Sequence, residues 1–385
     1  SKALSRGISA RLGITCPAVP PPVSMIFFID LFFCLLYNLI YALQSVLIGV
    51  CALSGFNRLS RFGRLKNEYA FLCGFAKKLD KGGVNMERQW FTARDGKKIS
   101  LALWDNVDCP RGVVQIVHGM AEHIARYDDF AAFLNSRGYI VAGDDHRAHG
   151  LTDKDALGLQ GEGDLFEKTV QDLKDITVML KEKYNLPVIL FGHSYGSFLT
   201  QRYLSVDPNP LSGAVLCGSA LMKGAAVNLG YRIAKGKLKK KADKPGNIFA
   251  ALTFEKYDKK FGEGLGGWLN RDVKAVGEYN ADPLCGFTCS NGFYYWFFKG
   301  LKSIAASPCE KLPPSFPLLI ISGAEDMVGG CGKLVLKLKR HYESLGLKPV
   351  MKLYPGARHE ILNELDKAQT YADAVSFFDS VTAKK

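Results

Sequence analysis

The sequence predicts an α/β fold, a mostly parallel sheet covered by helices on both faces, on three observations. Short apolar runs of strand length recur at 113–117, 139–142, 188–191, 214–217, 317–321 and 350–353. Apolar residues at helical spacing fall between most of them, at 126–137, 164–183, 196–206, 332–345 and 364–380. Ahead of the series, Gln89-Trp-Phe-Thr92 and Lys98-Ile-Ser-Leu-Ala-Leu-Trp104 flank Asp95-Gly96, which reads as a β-hairpin. Alternating strand and helix requires crossover connections, so the strands run parallel and are buried on both faces. Sites in such sheets form at the carboxyl ends of the strands.

Composition fits a large ordered domain. Of 385 residues, 48% are apolar and 23% charged, enough for a sizeable core. A net charge of +13 suits a face toward nucleic acid, anionic lipid or solvent. No nucleic-acid module accompanies it, so nucleic acid is not an expected partner. The ten cysteines include no C-x-x-C pair. They read as reduced, mostly buried thiols in a reducing compartment.

The alternation breaks once, between the strand ending near Gly218 and the strand at Pro317. A structureless loop of that length does not belong in a compact domain. Residues 221–312 therefore read as an inserted cap, and 85–220 with 313–385 as the core. The cap carries a basic run, Lys235-Gly-Lys-Leu-Lys-Lys-Lys241, and an aromatic run, Phe293-Tyr-Tyr-Trp-Phe-Phe298. The aromatics are expected in the cap core. The lysines form a solvated face or meet anionic lipid headgroups.

Residues 31–56 carry no charge, long enough for one membrane crossing of about 20 residues. Residues 25–62 are read as an N-terminal apolar anchor helix that spans or lies on a membrane, after a disordered arm at 1–24 and before a linker helix at 63–84. Arg58, Arg61, Arg64 and Lys66 crowd its C-terminal side, which places the following domain in the cytoplasm.

The chemistry centres on Gly192-His193-Ser194-Tyr195-Gly196, between the strand at 188–191 and the helix at 196–206. Glycines two before and two after the serine let strand and helix approach closely, so Ser194 stands exposed at a strained apex. Such an elbow needs a base within hydrogen-bond reach. His359 follows the strand at 350–353, whereas His341 lies on a helical pattern and His193 diverges from its neighbour at the apex. The acid belongs on the loop after the strand at 317–321, where either Glu325 or Asp326 can orient the imidazole. Oxyanion donors are expected from the backbone N–H groups of Tyr195, after the nucleophile, and of Met120, after the strand at 113–117. The cluster Asp144-Asp145-His146-Arg147-Ala148-His149-Gly150 reads as a hydrogen-bonded turn beside the site rather than a metal centre. No metal or organic cofactor is expected.

Together these residues resemble the monoacylglycerol lipase and lysophospholipase branch of the α/β-hydrolases, over about 85–378. The likeness rests on His118-Gly-Met-Ala-Glu-His123 with Arg126-Tyr127, the Asp-His-Arg-x-x-His-Gly turn at 145–150, the serine motif, Asp326-Met-Val-Gly329 and Tyr354-Pro-Gly-Ala-Arg-His-Glu360. Cap segments Trp268-Leu-Asn-Arg-Asp272 and Tyr279-Asn-Ala-Asp-Pro-Leu-Cys-Gly-Phe287 are similar to bacterial members. Asp-x-Val-Gly favours Asp326 as the acid. Ala148 departs from the family's usual glycine, and Leu151 from a small polar or basic residue. The resemblance implies an α/β-hydrolase fold and a carboxylic ester hydrolase, while the apolar N-terminus, outside the resemblance, and the basic cap are expected to hold it at a membrane. It would cleave a single-acyl lipid, a monoacylglycerol or lysophospholipid, through an acyl-enzyme. The alternatives are a carboxylesterase, thioesterase or peptidase on small soluble substrates, and a non-catalytic membrane-anchored binding protein.

Overall fold

The strands are β1 (Glu87–Thr92), β2 (Lys98–Trp104), β3 (Gly112–Val117), β4 (Tyr139–Asp144), β5 (Val188–His193), β6 (Gly213–Cys217), β7 (Leu318–Gly323) and β8 (Val350–Tyr354). They form one eight-stranded sheet in the order β1-β2-β4-β3-β5-β6-β7-β8. The β1–β2 hairpin joins antiparallel through β2 and β4, and every other pairing is parallel. The computed structural model describes residues 86–383. The arm, anchor and linker-helix expectations, at 1–84, lie outside the described residues. Among the described residues no helix is long and apolar enough to cross a membrane.

Strand side chains alternate between two apolar layers. In β5, Val188 and Leu190 enter one cluster, while Ile189 and Phe191 enter the other. The period of two thus becomes a two-sided core. The hydrolase helices are α1 (Asp128–Ser136), α2 (Leu165–Tyr184) and α3 (Tyr195–Val206). The insert adds α4 (Ala225–Lys241), α5 (Asn247–Leu252), α6 (Phe254–Phe261), α7 (Val273–Ala281) and α8 (Asn291–Ala306), and α9 (Lys333–Ser344) and α10 (Lys367–Thr382) follow. Residues of α2, α3 and α9 pack in the first cluster, and residues of α1 and α10 in the second.

Local signals explain the helix ends. The Asp164 side chain caps α2 by accepting the Glu167 N–H at 3.1 Å. Asn185 ends the same helix at φ 51, a left-handed conformation that asparagine tolerates. Along α2, Val170, Leu173, Ile176 and Leu180 recur on one face and are buried.

Between β6 and β7 the chain forms the five helices α4–α8, without a strand. The basic run is the last turns of α4, and the aromatic run opens α8. Phe293 stacks near Tyr195 at 5.3 Å and Phe297 near Phe198 at 5.7 Å, so α8 is the insert's floor on the elbow helix.

Leu173, fully buried on α2, and Val178, exposed on the same helix, separate core from surface. Leu173→Ala is expected to lower stability by about 3 kcal/mol, and Val178→Ala by less than about 0.5 kcal/mol. Urea unfolding monitored by circular dichroism checks both.

Candidate active site

β5 gives way to α3 within one residue. Ser194 sits at φ 51 and ψ −119, in a region that non-glycine residues rarely occupy. Its backbone is tied on both sides: Ser194 N–H donates to the Cys217 carbonyl at 3.0 Å, and its own carbonyl accepts the Ser197 amide at 2.9 Å. A Cβ at Gly192 would run into the Thr200 hydroxyl and the Gly196 carbonyl. One at Gly196 would run into the Val117 and His118 carbonyls. Both glycines are therefore required by close backbone approach, as the motif predicts.

The hydroxyl of Ser194 donates to His359 Nε2 at 2.8 Å, and His359 Nδ1–H meets Asp326 Oδ1 at 2.9 Å. Asp326 is fully buried. Its Oδ2 accepts the Ser322 hydroxyl at 2.9 Å and its Oδ1 the Val328 amide at 2.8 Å. Burial pushes this carboxyl up, but His359 and these donors outweigh it and hold the group below its ordinary value. Glu325 points outward; its amide donates to the Ala357 carbonyl at 3.0 Å. That bond, with Ala324 N–H to the Tyr354 carbonyl at 2.9 Å, stitches the acid loop to the histidine loop.

The Gly119–Met120 segment lies against the serine: a Cβ on Gly119 would stand 3.2 Å from the Ser194 Cβ. The Met120 and Tyr195 amides meet no acceptor among the described residues. Tyr195 is also the first residue of α3, whose N-terminus favours negative charge. The structure thus brings Ser194, Asp326, His359, Met120, Tyr195, Gly192 and Gly196 to one place.

Two further groups border the site, the turn at 144–150 that the sequence places beside it and a cap tryptophan to which the sequence gives no role. Three histidines pack together under Tyr195. His118 stacks on His146 at 3.9 Å, and His149 lies parallel to Tyr195 at 6.0 Å. His118 Nε2 accepts the His146 N–H at 3.0 Å, His146 Nδ1 meets Asp144 at 2.8 Å, and His149 Nδ1 meets the Arg147 carbonyl at 3.0 Å. This is a hydrogen-bonded turn. Ala148 occupies it at φ 66, which explains why the family favours glycine there. From the cap, Trp268 covers His359 with ring centroids 4.9 Å apart.

One trio among the described residues has metal-ligating donors within reach of each other: His123, Asp282 and Cys285, their ligand atoms all within 4.8 Å. Three donors fall short of a closed four-ligand structural site. Burial holds the Cys285 thiol far above its ordinary value.

Strand order, elbow and hydrogen-bonded triad together place this chain among the α/β-hydrolases. Residues 108–366 match the Hydrolase_4 model, described as serine aminopeptidase, S33, and the chain belongs to that family. A monoacylglycerol lipase of Mycolicibacterium smegmatis is 27% identical over 293 residues, covering 75% of this chain and 96% of the relative. A Bacillus subtilis phospholipase is 26% identical over 277 residues, covering 71% and 96%. The crystal structure of a thermostable carboxyl esterase from Bacillus coagulans, in complex with glycerol, superimposes with a TM-score of 0.71 at 27% identity, over 77% of this chain and 99% of that one. The chain falls in the monoacylglycerol lipase and lysophospholipase branch and is a carboxylic ester hydrolase.

Burial lowers His118 well below the usual imidazole range and His149 to about 4. Both are neutral when folded but take a proton in the unfolded chain below about pH 6.5. Each therefore removes stability as pH falls from about 6.5 toward 4. His193 acts oppositely: burial lowers it, but Glu122 raises it further, so its contribution is full below about 6.5 and is lost as pH rises through its folded value. In urea titrations His149→Asn is expected to flatten the acid-side loss of stability between about pH 6.5 and 5. An unchanged slope would contradict the neutral assignment.

Proposed function

We propose that this chain hydrolyses the ester of a single-acyl lipid, a monoacylglycerol or lysophospholipid, through an acyl-enzyme. One observation carries the chemistry: Ser194 Oγ lies 2.8 Å from His359 Nε2, whose Nδ1 lies 2.9 Å from buried Asp326. Ser194 Oγ attacks the ester carbonyl carbon while its proton passes to His359 Nε2. The carbonyl oxygen becomes an oxyanion facing the Met120 and Tyr195 amides. Asp326 holds the Nδ1–H tautomer and stabilises the imidazolium. Collapse breaks the ester C–O bond, and the departing alcohol takes the proton from His359. Water, deprotonated by the same imidazole, then attacks the acyl carbon and regenerates Ser194.

The names of the relatives support a lipid ester, and so does the cap surface. Leu252, Leu265 and Val273 are 61%, 74% and 82% exposed in the cap, which also carries the lysines of α4. Single-acyl lipids reside at a lipid surface, and such a face suits one. We place the enzyme on a membrane, anchored through 25–62, with its catalytic domain facing the cytoplasm. The family's aminopeptidase description keeps hydrolysis of a small peptide as the second reading.

Ser194→Ala is expected to abolish both ester hydrolysis and labelling by a fluorophosphonate probe. Labelling of the folded variant would move the nucleophile elsewhere. Asp326→Asn should lower kcat by roughly 10³–10⁴-fold, since the amide stabilises the wrong tautomer. Across a panel of monoacylglycerols, lysophospholipids, p-nitrophenyl esters and aminoacyl amides, long-chain single-acyl lipids should give the highest kcat/KM. Acetate esters or amides at the top would overturn the lipid assignment. Deleting residues 1–62 should shift the protein from the membrane to the supernatant fraction, and an unchanged partition would count against the anchor.

A further inference from the structure

The two loops that serve Ser194 are not neighbours in the sheet. The Gly119–Met120 loop follows β3, and His359 follows β8, with β5, β6 and β7 between them. Strand pairing alone leaves their separation to the sum of several registers and a twist. A buried ionic bridge joins them directly. Glu122 Oε1 accepts the Gly119 N–H at 2.5 Å and the Tyr127 hydroxyl at 2.9 Å, with His193 Nδ1 at 3.3 Å. Its Oε2 accepts Arg126 Nη1 at 2.6 Å. Arg126 then grips Glu360, the residue after the histidine, through Nη1 and Nη2 at 2.6 and 2.8 Å. Asn270 and Asn363 donate to the same carboxylate at 3.2 and 3.1 Å. The Tyr279 ring covers the guanidinium at 4.7 Å.

We propose that Glu122, Arg126 and Glu360 are positioning residues that fix the Met120 amide and the His359 imidazole at one spacing across Ser194. The inference rests on the Ser194, His359 and Asp326 reading above. The geometry suits a spacer. A bidentate guanidinium–carboxylate pair is planar and short, and burial removes the water that would soften it. The bridge ends on the backbone of both loops: Glu122 holds the amide immediately before Met120, and Glu360 continues the chain from His359. Burial pushes both carboxyls up, yet Arg126 holds them below their ordinary values, so the bridge stays ionised. Misplacing a catalytic group by about 1 Å is enough to cost two orders of magnitude in rate. The penalty falls on the transition state, where the oxyanion and the imidazolium exist together.

Steady-state kinetics on Glu122→Gln and Arg126→Lys in the full chain test this, with thermal unfolding beside them. Each variant is expected to lower kcat by at least tenfold with KM within about twofold. Affinity for a trifluoromethyl ketone, which forms the charged tetrahedral adduct, should fall in parallel with kcat/KM. A merely structural role predicts lower melting temperature with unchanged kcat in the folded fraction, and that result overturns the proposal. If neither variant folds, Glu360→Gln decides, since it weakens the bidentate contact to Arg126 at the histidine loop while keeping the side-chain shape: reduced kcat supports the bridge and wild-type kcat overturns it. Wild type inert toward every ester and toward the fluorophosphonate would sink the hydrolase reading instead, so the two failures are distinguishable.

Discussion

At Ser194 the chain passes from strand to helix through a single residue at φ 51, and neighbouring parts of the fold hold it there. The conformation costs on the order of 1–3 kcal/mol wherever its surroundings do not enforce it. Here the Cys217 carbonyl, one strand away, takes the Ser194 amide, and Ser197 returns both an amide and a hydroxyl to its carbonyl. The enforcement works only because β3, β5 and α3 come within backbone contact. Hence Gly192 and Gly196 lack side chains, and hence Val117 and His118 present bare carbonyls to the helix. The exposed hydroxyl follows from a packed interior.

The surroundings of that hydroxyl are divided by charge. Under Tyr195 three histidines pack together, and burial lowers the basicity of His118 and His149. Toward the histidine loop lie two carboxylates and a guanidinium, all buried, all paired. The histidine side adds rigidity through its stacked rings and hydrogen bonds. The charged side adds rigidity and a definite field, and it carries the joint between distant loops. Removing one partner from the latter strands a buried charge, which costs several times what a surface pair would.

The sheet and the triad were legible because each leaves a short-range mark. Strand runs such as 188–191 are bounded by turn-forming residues, here Pro187 and Gly192, and the elbow fits in five positions. Ser194, Asp326 and His359 each follow a readable strand, so topology alone brings them together. The strand ends differ from expectation by one or two residues, as at β4, which continues through Asp144. What left no such mark was contact between residues remote in sequence. Glu122 and Arg126 were visible as charged residues in a motif, but their partner Glu360 lies 234 positions beyond Arg126, and no local pattern announces the pairing. Trp268 likewise stood out as a tryptophan in a cap segment, while its place over His359 depends on the path of the chain through three intervening helices, α7, α8 and α9. The choice between Glu325 and Asp326 was open to the residues alone and was settled in space by which carboxylate turns inward.

The insert between β6 and β7 has a consequence of another kind. Those two strands are adjacent and parallel, pairing Ala214 with Leu318 through Cys217 with Ile321. The chain leaves at the carboxyl end of β6 and rejoins at the amino end of β7, so the excursion from 218 to 317 crosses back over only about one strand length at its base. Each doubling of such a loop adds only about 0.6 kcal/mol of closure entropy, and the sheet registers neither its length nor its contents. The length of the cap is therefore nearly free to the sheet, and its cost falls only where it touches the site, at Trp268 on His359, Asn270 on Glu360 and Tyr279 on Arg126. An insertion that the sheet scarcely registers thus supplies part of the wall around its own catalytic loops.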